Sequence, residues 1–310
     1  MRVLFAGSPA IAVPSLKALC NIEGIELCGV LTNPDTPKGR HGTPVPTEVG
    51  QAAENLVIYK PVKLDAAARE QVSALKPDLL VSFAYGRLFG PKFLSLFPQG
   101  GINIHPSLLP KYRGPSPIQA AIMNRDTETG ISIQTLAQQM DCGDILAMEK
   151  FQLTGTETAG SLTEVVSVKA AQMLPPVIKS IAIGNVQKTA QNNNLASYCT
   201  LISKDEGTLD WNKSAAEIDA KIRALDPWPL CRTIHNEREL IILKAVVYNG
   251  QGGQPNKPGQ VLGIDKNDGI LIQTGDGILA VTQLQYQAKK ALFWRDFLNG
   301  ARDFCGSQLG

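Results

Sequence analysis

Short apolar runs, each bounded by glycine, proline or polar residues, recur along the first 150 positions of the chain. Runs of this length are typical of strands that are covered on both faces, as in a parallel sheet. On this pattern we predict strands at residues 2–6, 27–31, 56–59, 79–83, 101–104, 131–136 and 145–151.

Helical segments separate many of these strands and complete an α/β pattern. Ser8 and Pro9 are predicted to cap and begin a helix that runs to about residue 19. Pro175 and Pro176 are expected to end or kink the last of the long helices, because proline removes a helix hydrogen bond. The alternation indicates a Rossmann-like, mostly parallel sheet with helices on both faces. Further helices are predicted over residues 65–75, 117–124 and 159–183.

The pattern changes after about residue 184. Residues 187–205 are polar and are predicted to form a linker. One helix at 214–224 is followed by β-like runs that Asn-Gly and Asp-Gly turns separate. We therefore predict a catalytic domain at 1–186, the linker at 187–205 and a small OB-like β-barrel domain at 206–310.

Composition narrows the class of protein but not its chemistry. The chain has 310 residues and a net charge of +2, so charge alone does not indicate a nucleic-acid partner. Six scattered cysteines form no C-x-x-C pair, which favours reduced thiols in a reducing compartment. No run approaches the roughly 18 apolar residues of a membrane span, and we expect a cytoplasmic protein.

The glycine turn after the first strand does not fit a dinucleotide-binding fingerprint. Gly7 is a single glycine where that fingerprint has three, which bring the backbone close to a pyrophosphate and the helix close to the strand. An ordinary strand-to-helix turn is the better interpretation, and a dehydrogenase is disfavoured.

The segment around His105 is the strongest candidate for chemistry. Residues two apart on a strand face the same way, so Asn103 and His105 are predicted to point together at the strand's carboxyl end. Ligands of open α/β sheets bind at that end. Pro106 stops the strand there. A buried structural histidine remains an equal alternative on this pattern alone.

A second polar island follows at residues 140–144, between two apolar strands. Asp141 could reach His105, fix its tautomer and stabilise its charged form. The alternative is a plain loop in which aspartate serves as a turn former, an interpretation that fits Asp144 well.

Two basic segments are candidates for binding nucleic acid. The loop 33–47 carries Lys38 and Arg40 among prolines and glycines, and Lys289 and Lys290 precede Trp294. Basic and aromatic residues together suit nucleic acid. The alternatives are a solvated loop in the first case and a core tryptophan in the second.

These residues together resemble the signature of the folate-dependent formyltransferases. Over residues 1–302 the sequence resembles in particular the enzymes of that family that act on methionyl-tRNA. The segments that carry the resemblance are Asn103-Ile104-His105-Pro106-Ser107-Leu108-Leu109-Pro110, Tyr112-Arg113-Gly114, Asp141-x-Gly143, Pro117-Ile118-Gln119, residues 126–130 and residues 296–300.

The resemblance implies a set of roles. Asn103, His105 and Asp141 correspond to the catalytic residues of the family, and Ser107, Leu108, Leu109 and Pro110 to its folate-contacting segment. Lys38, Arg40, Lys289 and Lys290 are the predicted contacts to tRNA. The formyl donor would be 10-formyltetrahydrofolate and the acceptor initiator methionyl-tRNA, with no metal. We expect a monomer with no membrane attachment.

The predicted mechanism is direct attack of the methionine α-amine on the formyl carbon, with Asn103 and a protonated His105 stabilising the oxyanion. Asp141 would orient His105 and help to move the amine proton toward the leaving folate nitrogen. The closest alternative is a formyltransferase acting on a nucleotide-linked amino sugar. A glycinamide ribonucleotide transformylase and a catalytically silent tRNA- or folate-binding module are less favoured.

Overall fold

The structure is a computed structural model that describes residues 1–37, 42–250 and 256–310. The chain forms two compact units that interleave along the sequence. The first unit comprises Met1–Pro117, Glu128–Gln152 and Thr163–Thr200. The second comprises Ile118–Thr127, Leu153–Leu162 and Leu201–Gly310.

Strands and helices alternate through the described part of the chain up to residue 182, as the sequence pattern predicts. The strands are Arg2–Gly7 (β1), Glu26–Leu31 (β2), Thr36–Pro37 (β3), Pro44–Val45 (β4), Ile58–Tyr59 (β5), Leu79–Phe83 (β6), Gly101–His105 (β7), Glu128–Thr135 (β8) and Ile145–Gln152 (β9). The helices are Val13–Cys20 (α1), Glu48–Ala52 (α2), Ala66–Ala74 (α3), Pro91–Leu94 (α4), Pro117–Met123 (α5) and Ala159–Ala182 (α6).

Seven of these strands form the main sheet of the first unit within the described residues, in the order β5-β2-β1-β6-β7-β8-β9. The pairings from β5 to β7 are parallel, and β8 and β9 are added antiparallel. The five residues of β1 after Arg2 are all buried, as a central parallel strand requires. The predicted mostly parallel α/β sheet is confirmed.

The first helix begins later than the sequence pattern predicts. A 3-10 turn at Ala10–Ala12 precedes α1, and it is Pro14 rather than Pro9 that lies in the first turn of that helix. Ser8 caps neither element, because its hydroxyl oxygen accepts hydrogen bonds from the backbone and side-chain nitrogens of Asn33. The predicted capping role of Ser8 was therefore wrong.

The two prolines of α6 do not end that helix. Pro175 and Pro176 both lie inside a continuous span of 24 residues. Proline costs a helix hydrogen bond, but burial of an apolar face can offset that cost. Leu174, Val177 and Ile178 are buried around the two prolines. Of the two predicted outcomes, an end of the helix is contradicted, and a kink at the prolines stays a prediction.

The second unit is built on an antiparallel sheet. Its elements are Ala215–Ala224 (α7), Cys231–His235 (β10), Arg238–Val247 (β11), Val261–Asp265 (β12), Gly269–Gln273 (β13), Ile278–Tyr286 (β14), Leu292–Phe293 (β15) and Trp294–Gly300 (α8). The strands pair in the order β10-β11-β14-β13-β12, with β15 added to β14. Helix α7 carries a capping box between Ser214 and Glu217 and packs on this sheet.

The C-terminal segment links the two edge strands of this sheet. The backbone of Gly310 exchanges two hydrogen bonds with Ile234 on β10. At the other edge, Gly306 donates to Val261 on β12, which in turn donates to Ser307. This segment therefore covers edges that would otherwise be open and gives the antiparallel sheet the barrel-like closure predicted for the C-terminal domain.

The C-terminal segment also contributes to the core, because Leu309 is only 2% exposed within the apolar cluster of the second unit. Replacing Leu309 with alanine should lower the free energy of unfolding by about 2–5 kcal/mol, since it removes buried apolar surface and leaves a cavity. Urea unfolding would measure the loss. Leu201→Ala is the matched control, because Leu201 is 74% exposed and its loss should be nearly neutral. Equal effects of both substitutions would contradict this role.

All six cysteines are present as free thiols. Cys28 and Cys231 are buried, and burial raises the pKa of the Cys231 thiol to about 12. Within the described residues, no helix is both long enough and apolar enough to cross a membrane.

Candidate active site

Asn103 and His105 meet Asp141 at the carboxyl end of β7. The Asn103 Nδ2 lies 3.5 Å from the Asp141 Oδ1, and the His105 Nδ1 lies 3.6 Å from the same oxygen. Because the two residues are two apart on one strand, their side chains share a face. The prediction that they point together, and that Asp141 reaches His105, is confirmed by this geometry.

Asp141 is held from both sides of its carboxylate. The side-chain nitrogen of Gln134 donates to Oδ1 at 2.9 Å, and the backbone nitrogen of Gly114 donates to Oδ2 at 2.9 Å. The Asp141 side chain is only 9% exposed, and its backbone has a left-handed φ of 56°. Aspartate tolerates that conformation better than most residues. The carboxylate is therefore fixed in direction before any substrate binds.

The imidazole of His105 has one nitrogen committed to the protein. Its Nε2 lies 2.8 Å from the carbonyl oxygen of Tyr112, which can only accept, so the proton of the neutral ring is on Nε2. The other nitrogen, Nδ1, is left without a proton and faces the Asp141 carboxylate. A neutral His105 can therefore accept a proton at Nδ1.

Burial is the largest influence on the charge of His105. It lowers the pKa of the ring below its ordinary 6.5, while the Asp141 carboxylate and the hydrogen bond to Tyr112 act in the opposite direction. The neutral ring is favoured near neutral pH. Burial thus acts against the protonated His105 that was expected to donate to an oxyanion, and the charge of His105 in the reaction stays a prediction.

The site thus combines an amide donor, a neutral imidazole and a fixed carboxylate. These groups can stabilise a developing negative charge and move a proton, which are the needs of an acyl transfer. Among the described residues, no cluster of three His, Cys, Asp or Glu side chains could hold a metal ion.

Two glycines are required for the loops that carry this site. A Cβ on Gly143 would lie 1.7 Å from the carbonyl oxygen of Thr135, and one on Gly114 would lie 2.2 Å from that of Cys199. Both neighbours are backbone atoms, which cannot turn aside as a flexible side chain could. These close approaches explain why glycine occupies position 143, two residues after Asp141, and position 114, directly after Arg113.

Replacing Gly143 with alanine should lower the free energy of unfolding by about 1–3 kcal/mol, because the added methyl group overlaps the backbone of Thr135. Thermal unfolding of the purified variant would measure this effect. Gly90→Ala is the matched control, since a Cβ there meets nothing within 4 Å and φ is −70°. A Gly143 variant as stable as the Gly90 variant would contradict the packing argument.

The predicted folate-contacting segment has a well-defined internal structure. The Ser107 hydroxyl donates to the carbonyl oxygen of Lys111 at 2.5 Å, and Ser132 donates to the carbonyl oxygen of Ser107 at 2.7 Å. Leu109 is buried, whereas Leu108 and Pro110 are half-buried. Leu109 and Pro110 also line an open cavity of about 390 Å³ beside β9. Folate contact by this segment stays a prediction.

The predicted tRNA contacts fall into two groups. Lys38 and Arg40 lie outside the residues that the structure describes. Lys289 and Lys290 are exposed in the turn after β14, in the second unit. Their role in binding tRNA stays a prediction.

Two glutamines at the site were not predicted from the sequence pattern. Gln134 lies directly opposite Asn103 in the antiparallel pairing of β7 and β8. The alternation of Ser132 and Gln134 with isoleucines in a buried strand was the available signal. Gln191 lies in the segment predicted to be a linker, and no local pattern distinguishes it from the asparagines that follow.

Comparison with known proteins gives matches in both units of the chain. The family model described as "Formyl transferase" matches residues 1–178, and the model described as "Formyl transferase, C-terminal domain" matches residues 201–302. The chain is 47% identical over 317 residues to the methionyl-tRNA formyltransferase of Treponema denticola, covering 98% of each chain. It is 42% identical over 320 residues to that of Treponema pallidum, covering 100% of this chain and 99% of the relative.

Solved structures add agreement on the fold. The N-formyltransferase from Helicobacter canadensis, in complex with folinic acid and dTDP-3-aminofucose, superposes with a TM-score of 0.66. The alignment has 22% sequence identity and covers 90% of this chain and 98% of that one. The family models and the full-length relatives together establish that this chain belongs to the formyl transferase family.

Proposed function

We propose that this chain transfers a formyl group from 10-formyltetrahydrofolate to the α-amine of methionine on initiator tRNA. The observation that carries the proposal is its similarity, over 98% of its length, to a relative named methionyl-tRNA formyltransferase. The convergence of Asn103, His105 and Asp141 supports a formyl-transfer site in the first unit.

Asn103 would stabilise the oxyanion. An α-amine has a pKa of about 7.7–8.0, so a good fraction is neutral at about pH 7.5 and can attack the formyl carbon. The carbonyl oxygen then gains negative charge in a tetrahedral intermediate. One hydrogen of the Asn103 Nδ2 faces Asp141. No acceptor among the described residues binds the other hydrogen, which Asn103 can therefore donate to this oxygen.

His105 would move the proton. The attacking nitrogen becomes positively charged as its bond to carbon forms, and the neutral Nδ1 of His105 can accept its proton. The imidazolium that results lies beside the Asp141 carboxylate, which stabilises the positive charge. The same proton is then delivered to the folate nitrogen as its bond to the formyl carbon breaks. No covalent enzyme intermediate is required.

The remaining assignments belong to the same proposal. Ser107 to Pro110 would contact the folate, and the cations Lys38, Arg40, Lys289 and Lys290 would contact the tRNA. We propose the domain division 1–186, 187–205 and 206–310, with tRNA binding in the last domain. The enzyme would act as a cytoplasmic monomer without a metal.

The test is formyl transfer with purified protein and 10-formyltetrahydrofolate. The acceptors are methionyl initiator tRNA, methionyl elongator tRNA and a nucleotide-linked amino sugar, each supplied alone. The proposal requires formylmethionine on initiator tRNA and little or no product with the other two. Formylation of the sugar alone would reject the tRNA assignment and support the alternative. A steep loss of tRNA binding with salt would be consistent with phosphate contacts.

A further inference from the structure

A buried arginine lies close to Asp141 without touching any carboxylate among the described residues. Arg113 is only 2% exposed. Its guanidinium donates to the Gln191 Oε1 from Nε at 3.0 Å and from Nη2 at 2.7 Å. Asn193 and Tyr198 accept the other bonds. Burying a cation is costly unless its hydrogen bonds are satisfied, and here neutral groups satisfy them.

Gln191 connects this arginine to the loop of Asp141. Its Nε2 lies 2.8 Å from the Asp141 carbonyl oxygen, 2.7 Å from that of Gly143 and 3.1 Å from the Oε1 of Gln134. Gln134, only 1% exposed, then donates from its own Nε2 to the Asp141 Oδ1 at 2.9 Å. The path is therefore Arg113 to Gln191 to Gln134 to the carboxylate.

The direction of every hydrogen bond in this path is fixed by its two ends. Arginine can only donate, so the oxygen of Gln191 must face Arg113 and its nitrogen must face inward. A carboxylate that is ionised can only accept, so the nitrogen of Gln134 must face Asp141. The two amide dipoles are aligned, with their positive ends toward the carboxylate.

We propose that Gln191 is a positioning residue for the formyl-transfer site. Arg113 fixes the amide orientation of Gln191, which in turn fixes the amide of Gln134 so that its nitrogen donates to Asp141. This inference rests on the proposed function. Gln191 touches no reacting atom; it fixes the carbonyl groups of Asp141 and Gly143 and the amide orientation of Gln134. The segment that carries Gln191 is anchored on both sides of it, by backbone bonds of Thr189 to Ile145 and of Ser197 to Arg113.

Glutamate at position 191 separates positioning from packing. Gln191→Glu keeps the size of the side chain and still accepts from Arg113, now as an ion pair, which offsets part of the cost of turning its second oxygen toward three acceptor oxygens. The folded fraction and the melting temperature are therefore measured beside kcat. The variant cannot donate to Gln134, Asp141 or Gly143, and the Asp141 loop should therefore shift. Misplacement of a reacting group by about 1 Å can cost about 10²-fold in rate. We expect kcat to fall about 10- to 100-fold with KM for both substrates within about 3-fold.

The experiment compares wild type, Gln191→Glu, Gln191→Ala and the control Asn194→Ala, an exposed asparagine in the same segment. Each protein is measured for kcat, KM, melting temperature and crystal structure. Both Gln191 variants should lose kcat and should show the Asp141 carboxylate displaced from Gln134. The control should match wild type.

Two results would overturn the inference. One is a Gln191→Glu variant with normal kcat and an unmoved Asp141. The other is a fall in kcat that is fully accounted for by a smaller fraction of folded protein. If wild type itself fails to formylate methionyl-tRNA, the proposed function fails, but the crystal structures still decide whether Gln191 positions Asp141.

Discussion

Asn103→Ala is expected to lower turnover by about 10²- to 10³-fold, because it removes one hydrogen-bond donor from the oxygen that becomes negative in the intermediate. Losing such a donor costs about 2.7–4 kcal/mol of transition-state stabilisation. The effect should fall on kcat, since the ground-state carbonyl is a weaker acceptor than the oxyanion. The measurement is steady-state formylation of methionyl-tRNA at saturating formyl donor.

Asn194→Ala is the matched control for Asn103→Ala, since it makes the same chemical change at an exposed position of the first unit. Both variants should unfold at the wild-type temperature to within a few degrees. Among the described residues, the side chain of the half-buried Asn103 makes one long hydrogen bond, to Asp141, so its loss should leave the fold intact. Near-normal turnover of a folded Asn103→Ala protein would remove Asn103 from the proposed mechanism.

The carboxyl-end geometry of β7 could be predicted from the sequence because it depends on a local rule. A strand alternates its faces every residue, and so Asn103 and His105 had to point together wherever the strand lies. The antiparallel addition of β8 and β9 could not be read from their apolar runs, because a buried strand reads alike in either direction. Gln134 entered the site through that pairing.

The contact between Asp141 and His105 joins residues that are far apart in the sequence, and the local geometry of a strand does not predict such a contact. His105 and Asp141 lie 36 positions apart in the sequence, and the path between them includes a helix and a strand. The resemblance to a family supplied the pairing. The influence of burial on the charge of His105 could not be predicted for a related reason: burial of its ring is a property of the packed fold, and it lowers the pKa of the ring.

Gln191 is a site residue that the sequence pattern could not predict. Its segment is polar and precedes three asparagines, so composition indicates a solvated linker. In the structure the segment through Thr200 belongs to the first unit, and Gln191 uses both ends of its amide there. Hydrogen bonds to backbone carbonyls leave no periodic trace in a sequence.

Asp141→Asn should lower kcat at least about 10²-fold, within the range that positioned acid-base groups contribute. The substitution keeps the shape of the side chain but removes the negative charge that stabilises the imidazolium of His105. It also places an amide nitrogen among groups that donate, since Gly114 and Gln134 both direct N–H groups at the carboxylate. Asp141→Glu, which keeps the charge and misplaces it, should retain more proton-transfer capacity than Asp141→Asn if charge is the main contribution.

The pH dependence of kcat distinguishes this role from a purely structural one. The attacking amine and the proposed base His105 must both be neutral. The value of kcat should therefore fall as the pH drops through the pKa of the amine, about 7.7–8.0, and fall more steeply below the pKa of His105, which lies under the ordinary value of 6.5. The Asp141 carboxylate raises the pKa of His105 against the effect of burial. Removing the carboxylate should therefore move the steeper part of the acid limb to lower pH while the plateau falls. A steeper part that stays in place or moves to higher pH in Asp141→Asn would show that Asp141 does not act through the charge of His105.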